Sequence, residues 1–149
     1  MKRISWKSLL GLLALITIQI SLASERVGNF ALLDHEGAYH QLRKYGDSRA
    51  VVIISVASRC EENINKLPKY RLLRTTWERQ GITLLAIDSA TEDDLDDVRR
   101  MDELYNFESP ILLDDSQLVA ESLGLSKAGQ VVVLDPNRYQ MLYRGGLDI

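Results

Sequence analysis

The chain has 149 residues, with 18 Lys and Arg against 21 Asp and Glu and a formal net charge of −3. That length fits one domain, and an acidic balance without a basic stripe excludes nucleic acid as a partner. The single cysteine, Cys60, excludes a disulfide framework, which a domain of this size does not need in order to bury a core.

Lys2, Arg3 and Lys7 precede an apolar run from Leu9 to Ile20, and Ser21-Leu22-Ala23 offers a small-x-small cleavage pattern. Residues 1–23 read as an export signal cleaved after Ala23, which predicts a periplasmic or secreted domain over residues 24–149. An uncleaved anchor is the alternative. The run is shorter than the about 18 apolar residues a membrane span requires, so no stable membrane insertion is expected after cleavage. No cysteine directly follows the run to take a lipid. The signal holds three of the basic residues and none of the acidic ones, so the remainder has 15 against 21 and a net charge of −6.

After the signal, periodicity alternates between strands and helices. Asn29 to Asp34 reads as a short strand, His35 to Gly37 as a turn, and Ala38 to Leu42 as the return strand. Ala50 to Ala57 is β-branched and almost continuously apolar, as a strand buried on both faces requires. From Glu61 to Arg79, Ile64, Leu67, Tyr70, Leu73 and Trp77 recur every three or four residues, one face of an amphipathic helix. Pro68 inside that stretch bends the helix or delays its regular part.

Ile82 to Asp88 is a second buried strand. Thr91 is the expected cap of the next helix, whose stripe is Leu95, Val98, Met101 and Tyr105. Acidic residues from Glu92 to Asp97 suit its first turn better than a calcium loop, which needs a glycine that this run lacks. Pro110 to Asp114 is a third strand, and Ser116 to Gly124 a short helix stopped by glycine. Gln130 to Asp135 and Tyr139 to Gly145 form a closing hairpin around Asp-Pro-Asn-Arg. The order implies a mixed α/β sheet flanked by helices, with Cys60 at the carboxyl end of a central strand, where open sheets collect functional groups.

These stretches resemble the thioredoxin fold, and more closely its redoxin branch, the alkyl hydroperoxide reductase and thiol-specific antioxidant family. The matching runs are "VGNFALLDHEGAYHQLRKYGDSRAVVIISVASRC", "GITLLAIDS", "SPILLDDSQLVAESLGL" and "VVVLDPNRYQMLYRGGLD", together most of residues 27 to 148. The resemblance implies a thioredoxin-like fold with Cys60 as the redox thiol. It also implies companions that this sequence lacks. The resolving cysteine of a Cys-x-x-Cys pair corresponds to Asn63, so Cys60 cannot store electrons in an internal disulfide. The proline and threonine before a peroxidatic cysteine correspond to Ile53 and Ala57, and the proline after it to Glu61. Neither Ser55 nor Ser58 stands in the matching place for the threonine. The cis-proline that faces the cysteine corresponds to Gly129, the substrate-binding position. A trans bond is expected there, because a non-proline cis bond costs about 2.5–4 kcal/mol.

Arg59 is the candidate stabiliser of a Cys60 thiolate, and the N-terminus of the following helix pushes the same way. Glu61 and Glu62 oppose both. His35 and His40 flank the first turn, and with Cys60 they offer three metal-ligand types. Copper-handling relatives of the fold bring two cysteines, so these read as solvated turn histidines, with no metal or other cofactor. Thioredoxin folds usually close with a helix after the last hairpin, whereas this sequence stops at Arg144 to Ile149. The resemblance therefore implies a piece of a longer protein, or a domain covered by a partner, with an apolar sheet face partly exposed.

Two functions follow. One is an exported redoxin-like thiol peroxidase or thiol–disulfide oxidoreductase that works through Cys60 with an external thiol reductant or partner protein. The alternative is a catalytically inactive binding module on the same scaffold.

Overall fold

Residues 25–147 are described by a computed structural model, and the export-signal reading of residues 1–23 lies outside them. The first pair of strands, β1 (Ala31–Leu33) and β2 (Tyr39–Gln41), is an antiparallel hairpin with Leu32 opposite His40. Both are shorter than the sequence suggests. Asp34 leaves the ladder to accept the Glu36 and Ala38 amides at 3.0 and 2.8 Å, which builds the turn. Leu42 begins a single 3-10 turn that runs to Tyr45.

β3 (Ala50–Val56) then enters the centre of a five-stranded sheet, with every residue buried. It is followed by α1 (Glu61–Ile64), α2 (Leu67–Glu78), β4 (Ile82–Asp88), α3 (Leu95–Tyr105), β5 (Ile111–Leu113), α4 (Leu118–Ser122), β6 (Gln130–Asp135) and β7 (Gln140–Gly146). The sheet order is β5-β4-β3-β6-β7. β3 runs parallel to β4, with Ile53 opposite Leu85, and antiparallel to β6, with Ile53 opposite Val132. Parallel pairing on one side and antiparallel on the other gives the expected mixed α/β sheet.

Successive side chains of a strand face opposite sides, so β3 feeds two cores. Val51 and Ile53 pack with Phe30 and Leu42 from the N-terminal segment and with Ala120 and Leu123 around α4. Val52, Ile54 and Val56 pack with Leu67 and Tyr70 of α2 and with Val98 and Met101 of α3. The sheet centre is thus covered on both faces. The expected open apolar face shrinks to the edge strand β7, where Leu142 and Tyr143 are 57% and 46% exposed. Among the described residues no helix follows β7.

Two helix boundaries differ from the sequence reading. The stripe from Glu61 to Arg79 is interrupted at Asn65 and Lys66, and Pro68 falls in the first turn of α2. There its missing N–H has no helical acceptor to lose, so of the two expected effects proline delays the regular part of the helix and does not bend it. The cap of α3 is Asp94, not Thr91. Asp94 accepts the Asp97 amide at 2.8 Å, and the Asp97 side chain closes the reciprocal box. Residues 90 to 93 are used up in a turn, with the Asp93 amide bonded to Ala90 O, so the helix starts later. Gly124 ends the α4 segment as expected, with φ +65.

Candidate functional site

Cys60 occupies the N-cap of α1 with extended backbone, φ −100 and ψ 94. Its thiol is free and half-buried. The approach from β3 is a tight turn in which the Cys60 amide donates to Ala57 O at 3.2 Å. The Cys60 carbonyl in turn accepts the Asn63 and Ile64 amides at 2.9 and 3.0 Å, the first bonds of the helix. The thiol therefore sits where the central strand hands over to a short helix whose first turn carries Glu61 and Glu62.

Asn63 lies one turn on and is 3% exposed. Its Oδ1 accepts the Ala57 amide at 3.3 Å, so the side chain braces the strand–helix turn from below. Its Nδ2 is buried without a partner among the described residues and lies 3.6 Å from where a β-carbon on residue 129 would stand. Gly129 has φ +85, a conformation glycine adopts without penalty. Its amide donates to Ser55 O at 2.7 Å, which fastens the loop before β6 to the end of β3. No peptide bond among the described residues is cis, as expected for position 129. Asn63 and Gly129, which come from distant parts of the sequence, are neighbours. Ile53 is fully buried in the core, Ala57 half-buried at the turn and Glu61 exposed in the first turn of α1.

Arg59 points to α3. Its Nη2 donates to Asp97 Oδ2 at 2.8 Å, and its Nε stands 3.5 Å from Asp93 Oδ1. The hydrogen bond from Arg59 holds the Asp97 carboxyl below its ordinary range. Asp93 also accepts the Ser58 amide through Oδ2 at 2.5 Å. The residues just before Cys60 are thus tied by backbone and side chain to the N-terminal end of α3. Asp93, which the sequence pattern assigns to an acidic helix turn, is instead a loop residue with a 2% exposed side chain. Asp88, the last residue of β4, is buried next to it, and burial, with Asp93 and Asp115 adding, pushes its carboxyl up to about 7. Its position at the carboxyl end of a buried strand is the one sequence signal for it.

A cavity of about 590 Å³ opens at the ends of β3 and β4, between Ala57, Ser89, Thr91, Gln117, Lys127 and Ala128. It adjoins the turn that leads to Cys60, whose own side chain does not line it.

The two histidines are not solvated turn residues. His35 is 6% exposed, with Nε2 3.3 Å from Asp102 Oδ2 and Nδ1 accepting the Ile111 amide at 3.4 Å. It pins the first hairpin to α3 and β5. His40 holds Asp34 Oδ2 at 2.7 Å through Nε2 and meets the Tyr45 hydroxyl through Nδ1. Burial, with the Asp34 charge adding, pushes the Tyr45 hydroxyl up to about 12. Among the described residues no three His, Cys, Asp or Glu converge to hold a metal ion.

The sequence matches the model of the AhpC/TSA family over residues 23–141. No curated protein matches it in sequence. Among solved structures, a hypothetical protein from Sinorhizobium meliloti superposes with a TM-score of 0.76 at 24% identity, covering 85% of this chain and 71% of that one. A putative thiol:disulfide interchange protein DsbE from Chlorobium tepidum gives 0.72 at 15% identity, covering 83% and 84%. Peroxidoxin BcpB from Mycobacterium tuberculosis gives 0.70 at 19% identity, covering 83% and 84%. The fold is thioredoxin-like.

Proposed function

The chain belongs to the AhpC/TSA family, and from that premise we propose that it is a thiol-dependent redoxin acting through Cys60 alone. The observation that carries this reading is the placement of a free, half-buried thiol at the N-cap of the helix leaving the central strand. The reaction balances without a second cysteine in the chain. The Cys60 thiolate attacks the terminal oxygen of a hydroperoxide. An S–O bond forms, the O–O bond breaks, and the departing alkoxide takes a proton. The resulting sulfenic acid condenses with an external thiol, releasing water and leaving a mixed disulfide. A second external thiol attacks that disulfide and returns Cys60 to the thiol.

Arg59 supplies the nearest positive charge along the chain, and its ion pairs with Asp93 and Asp97 offset part of it. The cavity beside Ala57 and Ala128 is where a reductant's thiol-bearing segment would dock. Export by the signal over residues 1–23 is part of the same proposal, and a mature N-terminus at Ser24 in a secreted or periplasmic fraction tests it. For the chemistry, peroxide consumption is followed with a small thiol as reductant. Turnover that vanishes in Cys60→Ser supports the reading, and equal rates in both proteins sink it.

A second reading, a binding module without chemistry, is favoured by one observation. Asn63 fills the place of a resolving thiol and is used as a buried brace on the Ala57 amide. A Cys60 that resists peroxide in the folded protein selects that reading.

A further inference from the structure

The loop that carries Cys60 is held from one side by an acid that the proposed chemistry does not use. Asp93 Oδ2 takes the Ser58 amide, and the Asp93 side chain is only 2% exposed. Behind it Asp88 is 5% exposed. Asp88 Oδ1 accepts the Ala90 amide at 3.0 Å, but Asp88 Oδ2 has no donor among the described residues. Among the described residues, Asp93 Oδ1 has only the 3.5 Å contact with Arg59. The two carboxyl groups are neighbours, and after burial the Asp93 charge is one of the causes that raise Asp88. They line one cavity of about 370 Å³ together with Asp94, Asp115, Leu95 and Val98.

Two buried carboxylates side by side repel, and each unmet oxygen lacks the donor it would have in water. One proton placed between them answers both needs, as it does in carboxyl pairs generally. We infer that Asp88 and Asp93 share a single proton, and that Asp88 is thereby a positioning residue that steadies the Ser58–Cys60 loop through Asp93. With the proton in place, Asp88 donates to Asp93, whose Oδ2 keeps the Ser58 amide. When the proton leaves to solvent, Asp93 loses a donor and faces a second anion, and the tether on Ser58 slackens.

The charged groups around the pair bear on this balance. Asp94 and Asp115 line the same cavity, and Asp97 and Arg59 stand at the loop side. Asp114 donates its amide to Asp88 O at 2.9 Å, while its carboxylate is taken up by Ser89, Ser116 and the Val119 and Ala120 amides. Arg59 is the one cation in this set, and its closest contact goes to Asp97. The surroundings are therefore net acidic and favour retention of the proton. The upward push on Asp88, to about 7, places its loss in the neutral range. The link to catalysis rests on the redox reading of Cys60, whereas the tether is read at Ser58 itself.

The test is a ¹H–¹⁵N titration of the full chain from about pH 5 to about pH 9, in the wild type and in Asp88→Asn. An asparagine keeps the acceptor for Ala90 and offers Asp93 a permanent donor. The Ser58 amide is expected to inflect near neutrality in the wild type and to stay flat in the variant. In parallel, Cys60 alkylation in the variant loses that inflection. A Ser58 amide that is flat in the wild type, or that inflects alike in both proteins, overturns the inference. If Asp88→Asn does not fold, the wild-type carboxyl ¹³C shifts decide. Coupled steps at Asp88 and Asp93 support the shared proton, and an Asp88 that titrates in the ordinary carboxylate range overturns it. An inert Cys60 with the Ser58 inflection intact removes the redox reading and leaves the shared proton standing.

Discussion

The Asn63 side-chain amide lies against the backbone of Gly129, with Nδ2 3.6 Å from the place a β-carbon there would occupy. Sixty-six positions apart in sequence, the two meet because β3 and β6 are neighbours and because the Gly129 amide is fastened to Ser55 O. This contact closes the floor beneath the helix that Cys60 caps. It also defines what each residue there can be replaced by.

Asn63→Cys should give Cys60 a partner three residues on, across the first turn of α1. On mild oxidation the variant is expected to lose two hydrogens in its mass spectrum and to lose both free thiols. The wild type cannot do this within one chain. Reduced, it should be less stable by about 0.5–1.5 kcal/mol, the ordinary net value of a hydrogen bond, because the brace on the Ala57 amide is gone. Two thiols persisting under oxidant would mean that α1 does not present position 63 to Cys60.

Gly129→Ala meets only ordinary van der Waals contact, so its effect comes from φ +85. A loss of about 1–2 kcal/mol is expected, read as a lower urea midpoint. Gly28→Ala is the control, since among the described residues a β-carbon there has nothing within 4 Å and its φ is not positive, and its midpoint should not move.

Asp88 should make stability depend on pH. Its carboxyl is raised in the folded state to about 7 from 3.8, so the folded chain holds a proton that the unfolded chain releases. The contribution is fully present below about pH 4 and is lost as pH rises through about 7. A rise of that size limits the contribution to about 4 kcal/mol. Asp88→Asn is expected to flatten this slope and to be more stable than the wild type in alkaline solution. Equal pH slopes from denaturant curves of the two proteins would contradict the assignment.

Arg59→Ala removes an exposed ion pair with Asp97, and solvent screens such pairs. Global stability should barely change. Hydrogen exchange at the Ser58 and Cys60 amides should instead accelerate, because the loop loses one of its two ties to α3. Acceleration spread evenly over the whole sheet would argue against a local tether.

Much of this scaffold is legible in the sequence. Ala50 to Val56 and Ile82 to Asp88 are mostly apolar because they are covered on both faces, and that pattern needs no partner to be recognised. Cys60 stands out for the same reason, as the residue that follows such a strand. What the sequence hides depends on contacts between distant segments. His35 looks like a turn residue until Asp102, 67 positions on, reaches it. Asp93 looks like one more acid in a helical first turn until the Ser58 amide is found on it, 35 positions back. The late start of α3 has a local cause. Asp94, with Asp97 three residues later, is as good a capping pair as Thr91 with Asp94, and the turn at Ala90 decides between them.

The most direct test of a working Cys60 is to expose the folded chain to one equivalent of hydrogen peroxide and trap the product with dimedone for peptide mass spectrometry. A redox thiol at this position predicts a single adduct on the peptide containing Cys60, and its replacement by a mixed disulfide when a small thiol is added before the trap. A folded protein whose Cys60 stays unmodified, while the urea-unfolded chain reacts, would contradict it and leave a redoxin scaffold used for binding.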